Sequence, residues 1–293
     1  MGQDMESEIK RNNGLPLVSI ITPSYNQGEF IEETIDSVLN QTYPNIEYII
    51  VDGGSTDNTL EILKKYENRI QWISEKDKGQ ANAINKGILR TKGELIGWIN
   101  SDDVYERDGI EKLVACWKKH PEADLIYGEG IYIDREGRKV GRYLTEVFTK
   151  EKLGKQCIIC QPSTLFSRVV IERVGMLNEQ YQMGMDYELW LRISNRGNIV
   201  YMPEYIARSR MYQDNKTMSR RDEAYREACN AVKENYGYVS EKWTSGYAFY
   251  LSGEKKNLFF YKSAVSLFFK YNHDNKKYII REIWKWLKKG KND

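Results

Sequence analysis

Two adjacent carboxylates, Asp102 and Asp103, end the apolar run Gly93-Glu-Leu-Ile-Gly-Trp-Ile-Asn-Ser-Asp-Asp103. A run of this kind, bounded by Gly and Asp, suits a strand buried on both faces of a parallel sheet, and the carboxyl ends of such strands open onto the crevice where α/β sheets bind ligands. Neighbouring aspartates with no basic residue before Arg107 repel each other, and a hard divalent cation bridging them to phosphate oxygens would relieve the repulsion. The same dipeptide also suits an Asp-rich turn that caps the next helix. Two other places carry chemistry-bearing groups. Asp52-Gly-Gly-Ser-Thr-Asp57 ends a second apolar run, where glycines permit close backbone approach of a ligand. Asp186 opens an amphipathic segment, where a carboxylate ordinarily serves as helix cap or dipole partner.

These groups need a scaffold, and the hydropathy pattern supplies one. Residues 17–22 read as a first strand, closed by Pro23-Ser-Tyr-Asn-Gln-Gly28. Phe30, Ile31, Thr34, Ile35, Val38 and Leu39 then recur at helical spacing, and residues 46–51 read as a second strand. Asp57 is placed to cap a helix over 58–66. A third strand over 70–74, a helix over 80–90 and the strand ending at Asp103 complete four strands alternating with three helices. That alternation predicts right-handed βαβ units in a doubly wound sheet, with Thr22, Asp52, Asp77 and the Asp102–Asp103 pair along one crevice. A helix over 108–120 precedes a hairpin of 125–132 with 139–144, which makes the sheet mixed. A strand over 163–166, short helices over 168–174 and 186–193, and a strand over 206–210 follow, and helices over 220–235, 257–271 and 278–289 close the chain.

A chain of 293 residues with 41% hydrophobic content can bury one large domain and an appendage. No apolar stretch approaches the roughly 18 residues of a membrane span, and the polar start lacks a secretory core, so the expected location is the cytoplasm. Cys157-Ile-Ile-Cys160 has no second pair at zinc spacing, which predicts reduced thiols packed in a buried strand; His120 and His273 read as surface residues. The net charge of +2 hides an asymmetry: residues 254–293 hold ten Lys and one Arg against four acids, so the remainder is net acidic. A basic tail on an acidic body points to an anionic surface as partner and away from nucleic acid. Over 278–289, Ile279, Ile280, Ile283, Trp286 and Leu287 oppose Arg281, Lys285, Lys288 and Lys289. Two readings stay open for that helix. It lies in a membrane interface, making the protein peripheral on the inner face of the cell membrane, or it docks on the catalytic domain or on a second subunit of a homo-oligomer.

Taken together, Val18-Ser-Ile-Ile-Thr-Pro-Ser-Tyr-Asn26, Val51-Asp-Gly-Gly-Ser-Thr-Asp57, Asn100-Ser-Asp-Asp103 and Asp186-Tyr-Glu-Leu-Trp-Leu-Arg192 resemble the family 2 glycosyltransferases of GT-A fold in order and spacing. The resemblance implies an α/β protein with a doubly wound, mostly parallel mixed sheet: a polar lead over 1–15, a catalytic domain over 16–220 and a helical C-terminal extension over 221–293. It implies transfer of a sugar from a nucleotide diphosphate sugar to a hydroxyl of a glycan or lipid-linked acceptor, with inversion, in cell-surface polysaccharide or glycan synthesis. By the same resemblance Thr22, Pro23, Ser24, Tyr25, Asp52, Lys78, Asn82, Asp102 and Arg210 hold the nucleotide, Asp103 holds Mn2+ or Mg2+, and Asp186 is the catalytic base. The residue types suit that chemistry, because a leaving diphosphate gathers negative charge while the acceptor hydroxyl must lose a proton. The chain departs from the family pattern twice, with Gly53 where many members have a second Asp, and Arg210-Met-Tyr212 where many have Arg-x-His. Arg210 and Lys216 are then either phosphate partners or solvated loop cations. A nucleotidyltransferase would use the same sheet, but it needs a Gly-rich basic turn after the first strand, and residues 22–28 carry neither Lys nor Arg. A non-catalytic nucleotide-sugar binder would be expected to lack Asp103 or Asp186, and both are present.

Overall fold

The computed structural model describes residues 14–289, with side chains to residue 285. Contacts divide the chain into two compact units. One is built on the residues up to Val147 with Ile159–Gln180 and Arg196–Tyr212, the other on Phe148–Ile158, Tyr181–Asn195 and the residues from Gln213 onward. Spatial grouping thus differs from the expected break at 220, since two internal segments join the C-terminal helices.

The first unit opens with β1 (Val18–Ser24), α1 (Ile31–Leu39), β2 (Ile46–Asp52), α2 (Thr59–Lys65), β3 (Gln71–Ser74), α3 (Gln80–Arg90) and β4 (Leu95–Trp98). β1 is buried along its whole length, as a central parallel strand requires. Parallel registers run from Val18↔Ile46 to Ser24↔Asp52 and on to Asp52↔Ser74, so three polar strand ends arrive level with one another. Ile31, Ile35 and Val38 of α1 join Val18, Ile20 and Ile50 of the sheet in one core. After β4 come β5 (Val104–Tyr105), α4 (Gly109–Lys119), the hairpin β6 (Leu125–Ile133) and β7 (Lys139–Arg142), β8 (Thr164–Ser167), α6 (Arg168–Val174) and β9 (Ile199–Arg210). The sheet order is β3-β2-β1-β4-β8-β6-β9-β5 with β7 on β6, parallel at β1–β2, β1–β4, β2–β3 and β6–β9 and antiparallel at the other pairings.

Several expectations shift. The strand expected to reach Asp103 stops at Trp98, because Asn100–Asp103 closes a turn through Asp103 N–H to the Asn100 carbonyl. β9 starts seven residues earlier than expected; Pro203 breaks its alternation in sequence, and the sheet absorbs it with register shifts against β6. Cys160 precedes a 3-10 turn, Gln161–Ser163, rather than lying in a strand, and all four cysteines are free thiols. Asp57 works one residue outside its expected cap position, accepting from the N–H of Thr59 while Asn58 is the formal cap.

The second unit contains α5 (Lys150–Lys155), α7 (Met185–Arg196, its last residue grouping with the first unit), α8 (Lys216–Ser219), α9 (Arg221–Tyr236), α10 (Glu241–Leu251), α11 (Leu258–Asn272) and α12 (Lys276–Lys289). α10 went unread in the sequence because its aromatic residues are not segregated to one side. Cys229, Val239, Tyr247, Ala248, Phe260, Leu267 and Tyr271 form its core, and the buried Asn272 amide bonds both the N–H and the carbonyl of Val239. Tyr278 of α12 turns inward onto Tyr238, with ring centroids 4.6 Å apart, and Ile279 and Ile283 are half-buried; Ile280 and Trp284 face solvent. The expected apolar face of that helix is therefore partly used inside the helical unit, while Trp286, Leu287, Lys288 and Lys289 have side chains outside the described residues. Among the described residues no helix is long and apolar enough to cross a membrane.

Helix α3 sits close on β1 because Gly87 lacks a side chain: a Cβ there would lie 2.5 Å from Ile21 Cγ2. Gly87→Ala gains about 1 kcal/mol of helix propensity, but overpacking a buried core costs about 1–3 kcal/mol. The substitution should lower the urea midpoint, and a raised midpoint would refute this packing account.

Candidate active site

The β1–α1 and β2–α2 loops of the first unit are laced together. Asn26 N–H donates to Ser55 Oγ at 2.7 Å, Thr56 N–H to Asn26 Oδ1 at 2.8 Å, and Gly28 N–H to Asp57 Oδ2 at 2.9 Å. Asn26 adopts a left-handed conformation at φ 51°, which Asn tolerates better than most residues. Beside it Tyr25 stands 60% exposed, an aromatic face free to stack on a base. Ser24 and Pro23 are buried at the end of β1, and Ser24 Oγ has no hydrogen-bond partner among the described residues.

Two of the expected nucleotide contacts are engaged within the protein. The side chain of Thr22 points into the core, its hydroxyl 3.0 Å from that of Tyr48, because the position lies in a fully buried stretch of the central strand. Asp52 is fully buried too, and its carboxylate accepts from Gly54 N–H at 3.0 Å, Ser55 N–H at 2.9 Å, Ser74 Oγ at 2.6 Å and the Ser55 hydroxyl. In this arrangement Asp52 organises the loop. The carboxylate missing at Gly53 has a neighbour in its place: Asp77 Oδ2 lies 2.7 Å from where a Gly53 Cβ would stand, while Asp77 Oδ1 accepts from Gly79 N–H at 2.8 Å. Lys78 is exposed at the start of α3. Asn82 accepts from Lys78 N–H at 3.3 Å and donates to Glu179 at 3.0 Å, so its amide ties α3 to the segment before α7.

At the β4–β5 turn, Asp103 is 2% exposed. Its Oδ1 accepts from Arg210 N–H at 2.8 Å and its Oδ2 from Asn100 Nδ2 at 3.0 Å. Burial, and next the charge of Asp102, push its carboxyl up to about 8 against those bonds. Asp102 is raised as well, by burial, with the Tyr212 hydroxyl 3.1 Å away pulling it back. Two adjacent oxygen-donor carboxylates held above their usual range make a site that a hard divalent cation would satisfy. Among the described residues no three His, Cys, Asp or Glu side chains converge on a metal position. A carboxylate pair leaves the other positions to phosphate and water oxygens, as Mg2+ and Mn2+ sites commonly do.

Arg210 lies inside the protein. It is 3% exposed, and its guanidinium donates to the carbonyls of Asp102, Asp134 and Arg135 at 2.9, 3.1 and 2.8 Å and to Glu33 at 2.5 Å while lying 4.9 Å from the Phe30 ring. It is a brace between the aspartate turn, α1 and the hairpin rather than a solvated loop cation. Pairing of β5 with β9, Val104↔Arg208, is what delivers it. Tyr212 follows from the same strand and packs on Phe30 at 5.2 Å, so a phenol reaches Asp102, a contact that no local pattern signals.

In the second unit, Asp186 lies in the first turn of α7. Burial raises its carboxyl above the usual carboxylate range, with the N–H of Tyr187 and the charge of Lys216 opposing and that of Glu227 adding. Lys216 is itself lowered by burial. The α7 N-terminus already has its anion: Glu227 of α9 accepts from the N–H groups of Gln182, Met183 and Gly184 at 2.7 to 3.0 Å. Glu227, 41 residues away in sequence, thus holds the three residues that lead into α7, while the Asp186 carboxyl takes the first-turn N–H of Tyr187. Glu188, the other acid in that turn, is paired with Arg192 at 2.7 and 2.8 Å.

Because its guanidinium serves as a brace, Arg210→Lys should cost about 1.5–3 kcal/mol in urea unfolding, the range for losing hydrogen bonds made by a charged group. Unchanged stability with weakened nucleotide binding would instead make Arg210 a ligand contact.

The sequence profile described as glycosyl transferase family 2 matches residues 19–175. Chondroitin synthase of Escherichia coli is 32% identical over 212 residues, 71% of this chain but 31% of that protein. An uncharacterized glycosyltransferase of Rickettsia typhi is 32% identical over 224 residues, 71% of this chain and 68% of that protein. The chain therefore spans only a part of these relatives, under one third of the synthase. Among solved structures, S. aureus TarS in complex with UDP-GlcNAc matches with a TM-score of 0.63 at 17% identity, over 87% of this chain and 80% of that one. The mannosyltransferase PcManGT of Pyrobaculum calidifontis, in complex with GDP-Man and Mn2+, matches at 0.61 and 18% identity, over 86% and 74%. They share the α/β GT-A fold with its mixed sheet. With the profile covering more than half of the chain and the Rickettsia relative aligned over two thirds of its own length, the chain belongs to glycosyl transferase family 2 and is a glycosyltransferase.

Proposed function

We propose that the enzyme transfers a sugar from a nucleotide diphosphate sugar to an acceptor hydroxyl in polysaccharide or glycan assembly, with inversion at the anomeric carbon. The observation that carries this reading is the Asp102–Asp103 pair in the β4–β5 turn, where burial raises both carboxyls and the charge of Asp102 raises Asp103 further. A divalent cation held there, Mn2+ or Mg2+, would neutralise charge on the leaving diphosphate. Asp103 is its protein ligand, and Asp102, oriented by Tyr212, faces the ribose. Tyr25 stacks on the base, Ser24 offers its unpartnered hydroxyl, and Lys78 offers a cation to the donor. Asp77 stands in for the carboxylate missing at Gly53 and accepts from the base, with Asp52 and Asn82 holding the loops that present these groups. The complexes of TarS with UDP-GlcNAc and of PcManGT with GDP-Man support a nucleotide sugar as donor, and the Mn2+ of the latter supports a divalent ion. The chondroitin synthase relative supports a glycan acceptor.

Asp186 takes the proton of the acceptor hydroxyl. A base must be unprotonated to act, so a raised carboxyl places the acid limb of kcat/KM above that of an ordinary aspartate, with activity rising as pH passes through it. Lys216, which opposes that rise, sets how far the limb moves.

Calorimetric titration of a nucleoside diphosphate should show binding strengthened by Mn2+ in the wild type, and Asp103→Ala should lose that dependence; equal affinity in the variant with Mn2+ and with EDTA would sink the metal assignment. Asp186→Asn should retain donor affinity and lower kcat by roughly 10² or more. Lys216→Met should shift the acid limb to higher pH, and a shift to lower pH would contradict the proposed coupling.

A further inference from the structure

One helix of the second unit is apolar on both sides. Phe260, Leu267, Phe268 and Tyr271 of α11 are buried, and three of them belong to the helical core. On the solvent side, Leu258, Tyr261, Val265 and Phe269 follow at spacings of three, four and four residues, which is one ridge of an α-helix, and they are 42% to 69% exposed. Phe259 is exposed beside them. Scattered surface apolar residues need no account, but a continuous ridge of four with its opposite side already buried does.

The charges around this ridge are all of one sign. From Lys255 to Asn272 the chain holds Lys255, Lys256, Lys262 and Lys270 and no Asp or Glu. The four lysines are exposed. α12 adds Ile280 and Trp284, exposed four residues apart, beside the exposed Lys276 and Lys277, while its Arg281 and Lys285 pair with the buried Glu282. A second copy docking through the same ridge would bring two sets of four lysines together with no acid between them. An anionic bilayer offers what the ridge lacks, an apolar layer for Leu, Val and Phe below a plane of phosphates that the lysines and the Tyr261 hydroxyl can meet.

We propose that α11 is a membrane-interface helix, with the Leu258–Tyr261–Val265–Phe269 ridge entering the headgroup–acyl boundary of an anionic bilayer. This moves the membrane contact away from the inward-turned Tyr278 face of α12, and it does not rest on the donor or metal assignments. The association is peripheral and salt-sensitive.

The test is co-sedimentation of the full chain with vesicles of phosphatidylcholine alone or mixed with phosphatidylglycerol, at low and high salt. Thermal unfolding and light scattering are followed on the same samples. The wild type should sediment with the anionic vesicles at low salt and be released at high salt. The double variant Val265→Glu/Phe269→Glu, at exposed positions, should lose binding with its melting temperature kept. Lys262→Gln/Lys270→Gln, which leaves the ridge intact, should weaken binding to anionic vesicles roughly tenfold or more. Wild type remaining in the supernatant with anionic vesicles at low salt would overturn the proposal. So would a glutamate variant that binds like wild type, or a dimer in light scattering that the glutamate variant dissociates, which would make a second copy the occupant.

Discussion

Burying two neighbouring carboxylates is the constraint around which the first unit is arranged. A charge removed from water must be paired, hydrogen-bonded or neutralised. At Asp103 the protein offers a backbone N–H, an amide and the Ser209 hydroxyl, and at Asp102 a phenol and the charge of Arg210, whose guanidinium bonds carbonyls and Glu33. The pair is therefore held in place without being discharged, and its raised carboxyls follow from that deficit. On the proposed function, a cation arriving with phosphate would make good that deficit.

The fold serves that arrangement at two levels. Parallel registers bring Ser24, Asp52 and Ser74 to the same height, and Asp52 spends its carboxylate on the loop that follows, so the loops are fixed before any ligand is present. The β5–β9 pairing then returns the chain to the aspartate turn with Arg210 and Tyr212. In the second unit Glu227 likewise fixes the segment that leads into α7.

Much of this was legible in the sequence, for reasons of range. Strands and helices whose pattern is local were read within a residue or two, and α3 and α6 have the bounds that periodicity assigns. Polar groups at strand ends were found because composition changes abruptly there. What stayed hidden depends on distant partners. Thr22 sits among the strand-end polar residues in sequence, and only the neighbouring strand shows that Tyr48 claims its hydroxyl. Nothing near Gly53 signals Asp77, nothing near Asp186 signals Glu227, and Pro203 conceals the first half of β9. The exposed ridge of α11 was invisible because a helix apolar all round looks like a buried one until its neighbours are known.

The proposed role of the paired aspartates is to act on the diphosphate of a nucleotide sugar through a divalent ion. It is tested most directly by following the release of nucleoside diphosphate from a panel of nucleotide sugars, with Mn2+ and with EDTA. At least one donor should turn over with Mn2+ and fall to background with EDTA. Turnover that is equal in Mn2+ and EDTA would contradict it.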